Sequence, residues 1–80
     1  MKRVTVLYFA QLSAQAGCAE EILETDAEQV SQIFADRTAA HGFSLPIQRV
    51  RFARNEEFCQ GEDEFADGDV IAIMPPMSGG

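Results

Sequence analysis

The residues with the most chemical promise in this sequence are its last six, Pro75-Pro76-Met77-Ser78-Gly79-Gly80. A terminal glycine offers a free carboxylate, and a carboxyl pKa of about 3.3–3.7 keeps it ionised at neutral pH. An ionised carboxylate is a poor electrophile. It becomes an acyl donor only after activation, for example as an acyl-adenylate. Gly79 and Gly80 have no side chains, so such a terminus can enter a narrow channel. The two prolines fix φ and lack amide donors, which keeps the segment extended and out of sheet pairing. At about 3.1–3.4 Å per residue, six residues reach about 19 Å beyond the fold that carries them. With glycine usage near 7%, a Gly-Gly ending arises by chance about once in 200 chains, and Pro-Pro just upstream makes it rarer still.

Nothing else in the sequence can perform that activation. There is no G-x-x-x-x-G-K-[ST] phosphate loop and no G-x-G-x-x-G turn. His41 is the single histidine and has no nucleophile beside it in any recognised motif. Cys18 and Cys59 match no zinc spacing, so no metal site is expected, and they read as free thiols or small apolar filler. No cationic neighbour or base in the sequence would lower the Cys59 pKa for sulfur chemistry. Glu20-Glu21, Glu56-Glu57 and Glu62-Asp63-Glu64 read as solvated loop residues rather than acid–base pairs. As an isolated chain the protein is therefore expected to hold no catalytic apparatus of its own.

Eighty residues support one small core. The sequence has no signal-peptide pattern and no apolar run near the roughly 20 residues of a membrane span, so a cytoplasmic protein is expected. A net charge of −7 argues against nucleic acid, which demands Lys/Arg patches. The same charge suits a basic partner surface, and equally suits plain solubility.

The elements that must position the tail can be read in order. Val4–Ala10 is β-branched, aromatic and almost wholly apolar, and predicts a strand with both faces at least partly covered. Gln11–Gly17 predicts a loop with at most a helical turn, and a second strand is expected within Ala19–Glu24. Thr25 with Glu28, or Asp26 with Gln29, offers a capping box for a helix. Val30, Ile33, Phe34 and Arg37 then recur at helical spacing. His41 falls in the last turn and Gly42 is a natural C-cap. After Pro46, Arg49–Arg54 alternates, with Val50 and Phe52 inward and the arginines outward. Asn55-Glu56-Glu57 predicts a turn, Phe58 and Cys59 a short strand, and Asp67-Gly68-Asp69 a tight turn. Val70–Met74 is the last strand.

The most apolar strands are the first and the last, which places them at the centre of a mixed sheet. The expected fold class is α+β, a ubiquitin-like β-grasp with one main helix across one face. Residues 1–74 form the domain and 75–80 a flexible extended tail. One helix covers only one face of a sheet. Leu7, Phe9, Val70, Ala72 and Met74 alternate with Val4, Val6, Tyr8, Ile71 and Ile73, so one set should form an exposed docking patch, unless loops cover it.

Val6-Leu7-Tyr8-Phe9-Ala10-Gln11, Asp67-Gly68-Asp69-Val70 and the Pro-Pro-Met-Ser-Gly-Gly ending together resemble the small subunits of molybdopterin synthase, over essentially the whole chain. The resemblance implies a ubiquitin-like sulfur carrier. An activating enzyme would adenylate Gly80 with ATP and Mg²⁺, Gly79 would help thread the terminus, and the adenylate would become a thiocarboxylate. The tail would then enter the large synthase subunit and deliver sulfur to precursor Z, forming the molybdopterin dithiolene. The chain would bind no cofactor itself. Its partners would be the large subunit, the adenylating enzyme and a sulfur-donor protein. The resemblance also implies docking through Phe9, Phe58 and Met74, with Pro75 and Pro76 at the tail root. Arg51–Phe65 is the segment least typical of the family. The alternatives are a sulfur carrier for another pathway, and a ubiquitin-like modifier or interaction module whose Gly80 forms isopeptide bonds.

Overall fold

Strand alternation and a single long helix generate the architecture. The computed structural model describes residues 1–76. In chain order the elements are strand β1 (Lys2–Tyr8), helix α1 (Gln11–Ala16), strand β2 (Glu20–Thr25), helix α2 (Val30–His41), a 3-10 turn (Ile47–Arg49), and strands β3 (Arg51–Arg54), β4 (Glu57–Cys59) and β5 (Val70–Met74). The sheet order is β2-β1-β5-β3-β4, with β1 and β5 parallel and every other neighbour antiparallel. The first and last strands are thus central neighbours in a mixed sheet, as their apolarity requires.

The inner face is the core. Val4, Val6, Tyr8, Ile71 and Ile73 are buried there with Val30, Ile33 and Phe34 of α2. Complete burial of each aliphatic side chain is worth about 1.5–3 kcal/mol. Phe34 stacks on Phe43 with ring centroids 5.9 Å apart and meets Phe52 edge-on at 6.0 Å, which locks α2 to β3. Gly42 ends α2 at φ 73, a left-handed position that strains side-chain-bearing residues.

Several local expectations are corrected. Residues 11–16 are a helix, because Leu12 inserts fully into the core and anchors the turn. The first strand runs Lys2–Tyr8 and stops before Phe9, since Ala10 turns the chain at φ 53. The α2 cap is neither of the expected boxes. Thr25 remains in β2 and its Oγ1 accepts the Ala27 amide at 3.0 Å. Gln29 caps the helix instead, in a reciprocal box with Gln32. Carbonyls of Gly61 and Asp63 accept the Ser31 and Val30 amides, so the 60–64 loop completes the helix start. Arg49 lies in the 3-10 turn before the strand, and Arg54 does not share the outward face of Arg51. It pairs with buried Ile71, and its guanidinium donates to the Glu64 carbonyl.

Glu21 is the largest correction. It is no solvated loop acid but a half-buried β2 residue on the inner face, paired with Val6. Its carboxylate accepts hydrogen bonds from the Tyr8 hydroxyl, from Arg37 Nη1 at 3.0 Å and from His41 Nε2 at 2.7 Å. Burial works to raise its pKa, but the bonds from Tyr8, His41 and Arg37 prevail and draw it down to about 2. The Tyr8 hydroxyl is pushed above the usual tyrosine range by burial and by the adjacent carboxylate. Strand β2, strand β1 and the C-terminal half of α2 are thus tied through one side chain.

A depressed carboxylate pKa stabilises the fold above the unfolded value of 4.5, and that contribution is lost as pH falls through about 2. Glu21→Gln is expected to lower unfolding free energy by about 2 kcal/mol at neutral pH. The gap between variant and parent should narrow between pH 4.5 and 2 in denaturant titrations. A gap that is constant with pH would show that the charge on Glu21 is not what holds these elements.

Candidate functional site

The sheet face opposite α2 is where the sequence-predicted residues meet. Directly paired residues share a face, so Leu7, Ala72, Ala53 and Phe58 form one row across β1, β5, β3 and β4. Thr5 with Val70, and Arg51 with Met74, form the rows on either side. The set that alternation left without a helix is this outer face. Leu7, Phe9, Ala53, Glu56, Phe58, Val70, Ala72 and Met74 line a shallow groove of about 300 Å³. Phe9 is 46% exposed and Phe58 77%, so a large part of each aromatic side chain stands in water. Met74, Pro75 and Pro76 are half-buried at the groove's end, where β5 stops and the chain leaves the sheet. The structure therefore brings Phe9, Phe58 and Met74 around one groove, with Pro75 and Pro76 following directly. Gly79 and Gly80 lie outside the described residues.

Local sequence explains how these side chains are held. Ala10 adopts φ 53 and ψ −130, a region that favours glycine, and Ser13 Oγ donates to its carbonyl at 2.8 Å. This turn ends β1 abruptly and leaves Phe9 on the surface. Asn55 and Glu56 have φ 51 and 73, giving the two-residue turn that presents Phe58 across from Ala53. Asn55 also binds β5: its Nδ2 donates to Asp69 Oδ1 at 3.0 Å, and its Oδ1 accepts the Val70 amide at 2.9 Å. The Ala66 amide and the Asn55 side chain hold the Asp69 carboxyl below its ordinary value. Gly68, at φ 89, completes the turn, and its amide donates to the Arg3 carbonyl at 2.7 Å. The Asp67-Gly68-Asp69 motif thus clamps the start of β5 to β1 and sets the strand that feeds the tail.

The remaining chemical candidates are structural. His41 ends α2 against Glu21, on the core side of the sheet. Cys18 and Cys59 are unpaired thiols packed against the core, and burial pushes the Cys59 thiol up, away from the reactive thiolate form. The sequence reading missed Ala53 and Glu56 as groove residues. The signal for Ala53 was present, because it alternates with Arg51 on the face opposite Phe52. Ile22, 58% exposed and opposite Thr5, extends the apolar surface toward the β2 edge. Its side could be assigned only once the β1–β2 register was known.

Known proteins place this geometry in context. The model of the ThiS family matches residues 6–80. The molybdopterin synthase sulfur carrier subunit of Chlamydomonas reinhardtii is 37% identical over 82 residues, covering 98% of this chain and 99% of that one. The protein of the same name from Anopheles gambiae is 31% identical over 84 residues, covering 98% and 92%. Among solved structures, H. volcanii small archaeal modifier protein 1 superposes with a TM-score of 0.82 at 22% identity, covering 96% of this chain and all of that one. A chain of the complex of subunits 1 and 2 of molybdopterin-converting factor from Helicobacter pylori gives 0.67 at 22% identity, covering 98% and 99%. At these identities the two structures speak for the shared β-grasp fold. No helix among the described residues is long and apolar enough to cross a membrane.

The two sheet faces should respond differently to mutation. Ile73→Ala, in the fully buried set, is expected to lower stability by about 2–5 kcal/mol in denaturant titrations. Phe58→Ser should change it by no more than about 0.5 kcal/mol. A large loss at Phe58 would show that this ring supports the fold rather than standing ready for a partner.

Proposed function

This chain belongs to the ThiS family, and from that premise we infer that it is the sulfur-carrying small subunit of a molybdopterin synthase. The observation that carries the reading is spatial: Met74 lines the apolar groove and is followed at once by Pro75 and Pro76. A surface that binds the groove therefore also receives the root of the Gly-Gly tail. Near-full-length similarity to two molybdopterin synthase sulfur carrier subunits supports the same reading.

In the proposed cycle, an activating enzyme uses ATP and Mg²⁺ to adenylate the Gly80 carboxylate. A sulfur-donor protein then supplies the sulfur that displaces AMP, leaving a thiocarboxylate. The large synthase subunit covers the groove, with Phe9, Phe58 and Met74 as contacts. Pro75 and Pro76 direct the tail outward, and the small Gly79 lets Gly80 reach the reacting centre. There the thiocarboxylate gives its sulfur to precursor Z, and two deliveries complete the dithiolene. Binding of the tail and most of the catalysis fall to the large subunit. The H. pylori chain of the same fold is described in a complex with a second subunit, which supports a large-subunit partner for this one. The acidic balance of −7 suits a partner rich in lysine and arginine around the tail.

A second reading has one observation in its favour, the fold likeness to a small archaeal modifier. In that case Gly80 would form isopeptide bonds with lysines. The fate of the terminus separates the two. Incubated with activating enzyme, ATP and a sulfur donor, the chain should gain about 16 Da by intact mass, the exchange of oxygen for sulfur. Conjugates to lysines with no such gain would overturn the sulfur-carrier reading.

Deleting Gly80 is expected to abolish dithiolene formation in a reconstituted synthase assay while leaving the melting temperature within about 2 °C. Met74→Asp should weaken large-subunit binding at least about tenfold in titration calorimetry, by placing an unpaired carboxylate in the covered groove. Binding unchanged by Met74→Asp would remove the groove from the interface.

A further inference from the structure

The distribution of positive charge on this acidic chain is uneven. Six Lys and Arg residues stand against thirteen Asp and Glu. Four of the six are engaged within the fold. Lys2 Nζ donates to the Ala27 carbonyl at 3.0 Å and lies over the Phe65 ring. Arg3 pairs with Glu24, Arg37 with Glu21 and Asp36, and Arg54 with the Glu64 carbonyl. Arg49 and Arg51 are exposed, and among the described residues neither side chain has a hydrogen bond or ion pair.

The placement of Arg51 is specific. It is directly opposite Met74 in the β3–β5 ladder, on the outer face, at the end of the groove where the tail begins. It also lines, with Ile47 and Phe58, an open cavity of about 550 Å³, and Phe58 is common to that cavity and the groove. At the other end of β3, Glu56 lines the groove from the hairpin turn. An apolar floor is therefore bracketed by a cation at the tail end and an anion at the hairpin end.

We propose that Arg51 is a docking and orienting residue, and that the large subunit sets an Asp or Glu carboxylate against it when it covers the groove. This rests on the carrier function above. Covering a guanidinium without an anion leaves an uncompensated charge, whereas a carboxylate matches its planar fork with two hydrogen bonds. The anion is a protein carboxylate rather than a phosphate handled at the terminus. Gly80 is six residues past Met74, enough chain to span about 19 Å when extended, which lets the terminus be handled well away from the Arg51 side chain. In the reversed orientation the large subunit's carboxylate would face Glu56 and be repelled, which favours one direction of tail delivery.

The test titrates full-length Arg51 variants into the large subunit while following association and dissociation rates. Because Arg51 is exposed, the variants should melt with the parent, and Arg51→Gln serves as a second, milder variant. In about 50 mM salt, Arg51→Glu is expected to raise Kd about tenfold or more, mainly through slower association, and Arg51→Lys to stay within about threefold. The Arg51→Glu effect should shrink in about 300 mM salt, where screening is stronger. Arg51→Glu binding as tightly as the parent, or more tightly, would overturn the proposal while leaving the carrier reading intact. Failure of the parent itself to bind the large subunit would overturn the carrier reading and the proposal with it.

Discussion

One helix layer cannot cover two sheet faces, and the rest of this structure depends on that constraint. β1 and β5 are parallel central strands, and such strands are apolar on both sides because they are usually covered on both. Here α2 covers only the inner side. The outer side keeps Leu7, Val70, Ala72 and Met74 in a groove with Phe9 and Phe58 standing at its rim. A patch of this kind is an aggregation hazard unless something opposes self-association. The edges carry that load. β4 is three residues long, β2 displays Glu20 and Glu24, and a net charge of −7 makes copies repel one another.

Structural and docking duties are segregated by the same constraint. The polar knot around Glu21, the aromatic cluster of Phe34, Phe43 and Phe52, and the loop that starts α2 all lie on the core side or at its margins. The outer face contributes little to them, so its residues are free to meet the needs of a partner. The exception is the turn chemistry. Asp67-Gly68-Asp69 and Asn55 fix where β5 starts, and β5 in turn fixes where the tail leaves the sheet. A motif that looks like simple turn punctuation therefore sets where β5 lies and where Pro75 follows it.

The legible parts of the fold were those governed by local periodicity. Val4–Tyr8 and Val70–Met74 announce central strands through their β-branched, aromatic and apolar residues, and Val30, Ile33, Phe34 and Gly42 mark one helix and its end. The two faces of the sheet also followed from alternation. What stayed hidden depends on contacts between distant segments. Glu21 looks like any surface acid until β2 pairs with β1 and brings Tyr8, Arg37 and His41 around it. The capping of α2 by residues 60–64 joins segments thirty residues apart, and local box patterns near Thr25 and Asp26 outcompeted it in the sequence. Arg54 shares the parity of Val50 and Phe52, so its inward side follows from strict alternation, and only its charge suggests the outward face. At the site, alternation set Phe9 and Met74 in one of two candidate faces, the family resemblance chose that face and added Phe58, the side of Ala53 follows from its neighbour Phe52, and the neighbouring Ile22 required strand pairing.

The central claim is that the sheet's outer face, continuous with the tail root, is the surface a partner covers. The most direct measurement is backbone amide mapping by NMR of the isotopically labelled chain during titration with unlabelled large subunit. The perturbed amides should cluster on Leu7–Phe9, Ala53, Phe58 and Val70–Met74, with the solvent side of α2 unmoved. Perturbation centred on Gln32, Ala35, Asp36 and Ala39, the exposed side of α2, would contradict the claim.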